Sequence, residues 1–90
     1  MANINLSGPQ QKALSEALIA AFPKPDRLAQ MLQYQLSKNL WRIAAGGGLD
    51  KLVFDLIQAA QAEGWTRKLI IGARASNPGN RKLLLFAQQF

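Results

Sequence analysis

Residues 44–65 read AAGGGLDKLVFDLIQAAQAEGW, and this stretch decides what kind of molecule the chain can be. Leu49, Leu52, Val53, Leu56, Ile57 and Ala60 recur at the three- and four-residue spacing of a helix and form one unbroken apolar stripe. Gly64 reads as a left-handed C-terminal cap, with Trp65 placed to fold back over the last turn near Ala60. The three glycines in front of the stripe admit two readings. In a phosphate-binding loop, GxxxxGK followed by Ser or Thr, backbone amides hold the phosphates, the lysine reaches them and the hydroxyl ligates magnesium. Here the hydroxyl is missing, Asp50 sets a negative charge where an anion would sit, and no apolar β-strand precedes the loop. The glycines read instead as a hinge between a short helix and a long one, where residues without side chains permit close approach.

Helical periodicity continues outward from this hinge. Ser7 and Gln10, with Pro9 in the first turn, have the spacing of a capping box, and Leu14, Ala17, Leu18 and Ala21 then mark one buried face. Phe22-Pro23-Lys24-Pro25 ends that helix, because neither proline can continue a helix interior. A second helix starts at Pro25 or Asp26 and buries Leu28, Met31, Leu32 and Leu36. Ser37-Lys38-Asn39 breaks the pattern, and Leu40, Ile43 and Ala44 mark a short third helix. Beyond Trp65, a fifth helix with Thr66 as its expected N-cap carries Leu69, Ile70 and Ala73. Asn77-Pro78-Gly79-Asn80 is a turn by composition, and Asn80 caps a last helix holding Leu83, Leu84, Phe86 and Ala87. No segment alternates with period two, and there is no repeat, low-complexity tract or interdomain linker. The expectation is an all-α, compact six-helix bundle forming a single domain over residues 1–90.

Composition narrows the function. With no cysteine and no histidine, the chain lacks disulfides, thiolate metal sites, the commonest general base and every triad built on imidazole. The N-terminus has no basic leader before an apolar core, and the longest apolar runs, such as LLLFA at 83–87, fall far short of a bilayer span. A small soluble, cytoplasmic domain is expected. Asp50 and Asp55 lie about 140° apart around a helix, so they do not share a face as an acid–base pair would. Glu16, Asp26 and Glu63 belong to different helices, the aspartates lack EF-hand spacing, and no serine or threonine has a base to activate it. No enzyme, no metal and no cofactor is expected.

Charge is unevenly placed. Residues 1–63 hold six bases and all five acids, for a net charge of +1, whereas residues 64–90 hold five bases and no acid, for +5. A basic last third implies an acidic partner, whether protein, nucleic acid or anionic membrane.

Several pieces taken together carry a resemblance: LSGPQ at 6–10, Phe22-Pro23 followed by Asp26, Leu28, Met31 and Leu32, then Asn39, Leu40, Ile43 and Ala44 before the glycines. VFDLIQAAQAEGW at 53–65 follows, and then Leu69, Ile70, Ala73, Arg74, Asn77 to Asn80 and Leu83. This combination, running over residues 6–87, resembles the effector-associated domains, type one, of bacterial immunity and conflict systems. Lys24-Pro25 and the extra C-terminal bases depart from the pattern in surface charge, not in the core. The resemblance implies a death-fold-like six-helix bundle with no catalysis of its own. It also implies fusion to, or partnership with, trypsin-like or caspase-like peptidases, NTPase switches or TIR modules, coupled through like-with-like domain contacts.

Two surfaces are candidates for the pairing. Arg27, Tyr34 and Lys38 fall within about 40° of one another on the second helix, provided the helix reaches Lys38, and Arg and Tyr are favoured at interface hot spots. The other candidate is the C-terminal set Arg67, Lys68, Arg74, Arg81 and Lys82, facing an acidic set on a neighbour such as Asp50, Asp55 and Glu63. Phe54, well off the stripe of its helix, is expected to be buried against a second neighbour, and Trp41 and Trp65 to serve core or loop packing. The alternative function is a small basic nucleic-acid-binding domain that presents a recognition helix. Against it, TRKLIIGARAS at 66–76 offers few groups to read base edges, and aromatic residues are not interleaved with the bases. Attachment to anionic membranes would need a more strongly amphipathic basic helix than any here.

Overall fold

The apolar stripe after the glycines folds as a helix over Leu49–Glu63, one of six helices in the described residues. The computed structural model describes residues 4–44 and 46–89; residues 1–3, with which the expected domain and the leader reading begin, Ala45 of the opening stretch, and Phe90 lie outside them. In chain order the helices are α1 Gly8–Ala21, α2 Pro25–Leu36, α3 Leu40–Ile43, α4 Leu49–Glu63, α5 Thr66–Ser76 and α6 Arg81–Ala87, with no strand among the described residues. The fold is all-α, as the periodicity implies.

Local chemistry sets most of the boundaries. Ser7 accepts from the Gln10 amide while the Gln10 side chain accepts from the Ser7 amide, so the capping box is closed in both directions. Asn80 Oδ1 accepts from the Leu83 amide at 2.9 Å and starts α6 in the same way. At the hinge, Gly46 and Gly47 have φ of +104° and +91°, backbone that only glycine adopts without strain. The triplet therefore acts as architecture, turning the chain from α3 into α4.

One boundary differs from expectation. Thr66 is not the cap of α5 but its first residue, fully buried, with Trp65 in the cap position. Its hydroxyl oxygen accepts from Gln61 Nε2 at 2.6 Å instead of from an amide of its own helix. A side chain of the preceding helix, five residues back, thus takes the hydroxyl that the residue type would lend to a cap.

α1 packs on α4 and α6, α2 on α3 and α5, and α5 on both α4 and α6. The core lies between them, and Leu14, Leu18, Leu28, Leu32, Leu56 and Leu69 are among its fully buried side chains. Gly72 makes the α2–α5 crossing possible. A Cβ there would lie 2.7 Å from Leu36 Cδ1 and 2.9 Å from Gln35 Cβ, so any larger residue would push the two helices apart.

Gln61, at the border of the α4 stripe, ties down the N-terminal segment. Its Oε1 accepts from the Leu6 amide at 2.9 Å, and its Nε2 donates to the Ile4 carbonyl at 2.7 Å as well as to Thr66. Gln11 Nε2 donates to the Leu6 carbonyl at 3.1 Å, so residues 4–6 are held against α4 from two sides. Asn77 plays a similar part at the other end of α1, where its Nδ2 donates to the otherwise orphaned Ala21 carbonyl at 2.9 Å.

Candidate protein-interaction surfaces

The helices sort the charged residues onto separate faces. Along α5, Arg67, Ile71 and Arg74 recur at i, i+4 and i+7 and share one stripe. They line a groove of about 440 Å³ whose other walls include Ile4, Ile70 and Ala87. Ile71 is 60% exposed, so an apolar floor lies open between two guanidinium groups. Ile4 is in that wall because Gln61 holds its carbonyl.

The rest of the basic C-terminal set does not join this groove. Lys68 is exposed about 100° around α5 from Arg67. Arg81 is exposed at the start of α6, while Lys82 lines a shallow groove between α1 and α6 with Glu16 and Leu85. Of the five candidates, the structure brings together two.

Arg27 and Tyr34 do come together, with Lys24, around a groove of about 540 Å³ at the end of α1. Tyr34 is 78% exposed and also borders an adjoining depression that contains Trp41. Lys38 leaves this face. α2 stops at Leu36, where Ser37 takes a left-handed φ of 55°, so the helical register that would place Lys38 beside Arg27 ends short of it. Its Nζ instead lies 4.6 Å from the centroid of the Trp65 ring.

The three acids of the expected counter-face are likewise dispersed. Glu63 Oε1 accepts from Trp65 Nε1 at 3.0 Å, so Lys38 and Glu63, assigned by sequence to two different candidate contacts, both attend the same indole. Asp55 pairs with Lys51 at 2.8 Å, an exposed i, i+4 bridge worth about 0.3–0.5 kcal/mol. Asp50 stands in the first turn of α4 on the wall of a groove of about 620 Å³ between α1 and α4, with Lys12, Glu16 and Lys51.

Phe54 corrects a second expectation. It is not buried against a neighbour but 57% exposed, one helical turn beyond Asp50 in that same groove. Trp41 is 51% exposed rather than packed, whereas Trp65, at 6%, does serve the core. Periodicity places Phe54 and Ile71 off the buried stripes of their helices, but it does not say whether another element covers them. Gln61 and Ile4, which shape the α5 groove, leave no local signal because their partners lie more than fifty residues away.

Among the described residues, no group of three or more carboxylate, thiol or imidazole side chains is placed to hold a metal ion, and no helix is long and apolar enough to cross a membrane. The family model described as Effector-associated domain 1 matches residues 4–90. No curated protein and no solved structure matches the chain.

Proposed function

The chain belongs to the effector-associated domain 1 family, and we propose that it acts as a non-catalytic adaptor, a single death-fold-like domain over residues 1–90. In this reading it works in the cytoplasm and couples effector and sensor proteins of bacterial conflict or immune signalling by pairing with its own kind or with a sister domain. The effectors it would bring together are peptidases, NTPase switches or TIR modules, fused to it or carried by the partner.

The observation that carries this reading is the exposure of large apolar side chains beside arginines and aromatic groups. Ile71 sits between Arg67 and Arg74, and Tyr34 lies near Arg27 in a groove of its own. Aromatic residues and arginine are the types enriched at the centres of protein interfaces. What weighs against the nucleic-acid alternative is the division of the bases. Lys68, Arg81 and Lys82 lie off the Arg67–Arg74 stripe, so the basic residues form no continuous track for a phosphate backbone.

Light scattering across protein concentration, at low and physiological salt, tests the reading. An adaptor of this kind gives a mass that grows with concentration and falls with salt, and it leaves a labelled DNA duplex unbound. A strict monomer whose duplex affinity drops steeply with salt would overturn the proposal in favour of nucleic-acid binding.

A further inference from the structure

Resting on that like-with-like reading, we propose that the contact is head-to-tail. The α5 groove of one copy, with Ile71 between Arg67 and Arg74, receives the Phe54 face of a second copy, with Asp50 and Glu16 set against the guanidinium groups.

Three observations lead here. First, the α5 groove and the α1/α4 groove share no lining residue, so one molecule presents both at once. A standard interface covers about 800 Å² per partner, roughly a seventh of the 5369 Å² surface, which leaves room for two separate patches. Second, each groove has a large apolar side chain standing open in it, Ile71 in one and Phe54 in the other. Phe54 follows Asp50 by four residues on α4, as Ile71 follows Arg67 by four on α5, so both faces read as a charge and then an apolar anchor one turn on.

Third, the charges differ between the grooves, although the chain as a whole is basic. The α5 groove is lined by two guanidinium groups and no acid. The groove at Arg27 and Tyr34 is lined by Lys24 and Arg27, again with no acid. The α1/α4 groove is lined by Glu16 and Asp50 with Lys12 and Lys51, two of each sign, and Asp55, outside the lining, pairs with Lys51, which leaves Glu16 and Asp50 against Lys12. A two-fold contact that set the α5 groove against its own copy would bring arginines together in a chain of net charge +6. The α1/α4 face is the one among the described grooves lined by more than one carboxylate. Because donor and acceptor faces differ, each added copy leaves both kinds open, and the assembly grows as a ring or a filament.

The test uses the full chain in sedimentation velocity with two variants, Arg67→Glu/Arg74→Glu and Glu16→Lys/Asp50→Lys. Each alone is expected to weaken self-association at least about tenfold, because each reverses one face of the same contact. Mixed in equal amounts, the two are expected to associate again, since each supplies the face the other has lost. That rescue also shows that both variants are folded. Lys68→Glu, a single charge reversal outside the groove, is expected to leave association within about threefold of the parent. Association that Glu16→Lys/Asp50→Lys leaves unchanged, or a mixture that stays monomeric, overturns the head-to-tail assignment and leaves like-with-like pairing standing. A parent chain that never self-associates overturns self-pairing itself, and this inference with it.

Discussion

Two corners of the molecule begin alike and end differently. α2 and α4 both stop at a residue in the left-handed region, Ser37 with φ of 55° and Gly64 with φ of 83°, and each is followed closely by a tryptophan. At the α4–α5 corner Trp65 is buried, its indole N–H donates to Glu63 and Lys38 covers its ring. At the α2–α3 corner Trp41 stands half in solvent, and only its backbone is engaged, its amide donating to Asn39 Oδ1 at 2.9 Å. The residue that closes the first corner, Lys38, comes from the second. Burial here is decided by what another part of the chain brings, so the same side chain becomes a core element in one place and available surface in the other.

The sharpest way to break this comparison is to truncate both indoles. Trp65→Ala is expected to destabilise by about 3–5 kcal/mol, and Trp41→Ala by less than about 0.5 kcal/mol, in urea unfolding. Equal losses would mean that the two corners are not different in kind. Next in size are the polar groups. Gln61→Ala leaves the Leu6 amide and the Ile4 carbonyl without their partner and should cost about 2 kcal/mol, with faster hydrogen exchange at Leu6. Asn39→Ala removes only a cap and should cost about 1 kcal/mol. Smaller again is the link between the corners, where Lys38→Ala should cost about 0.5–1 kcal/mol and change Trp65 fluorescence. The smallest change has the opposite sign. Ser37→Gly relieves a left-handed backbone that disfavours side chains and should raise stability by a few tenths of a kcal/mol, up to about 1, seen as a higher thermal midpoint.

The parts of the fold that were legible in the sequence are those whose causes lie within about four residues of their effects. The Ser7–Gln10 box, the Asn80 cap, the glycine hinge and the α4 stripe all belong to this class, and the structure has each where the spacing puts it. Thr66 shows the limit of that reasoning. Its residue type favours a cap, but Gln61 claimed the hydroxyl, and the helix boundary moved by one residue. Gly72 shows it too, since only the α2–α5 crossing explains why α5 carries a glycine in its interior. For the candidate surfaces, the charge count named Arg67 and Arg74 along with three bases that lie elsewhere, because it does not relate positions around α5 or α5 to α6. It also did not foresee that Lys38 would leave α2 for Trp65. Exposure at Phe54 and Trp41 depends on which helices pack over them, a property of topology that residue order along one helix does not contain.

The packing of α1 against both α4 and α6 bears on how the protein is made. Leu83 and Phe86 of α6 are buried, and α6 is packed on α1, the first of the six described helices. On a ribosome, α1 therefore emerges with part of its apolar side uncovered, and its cover follows only after α2 to α5 have been made. Helices form locally within microseconds, whereas the ribosome adds only tens of residues per second at most. Helices this short are marginal alone in water, so the nascent chain waits as fluctuating helices, and the α6 side of the core closes only once α6 has cleared the exit tunnel.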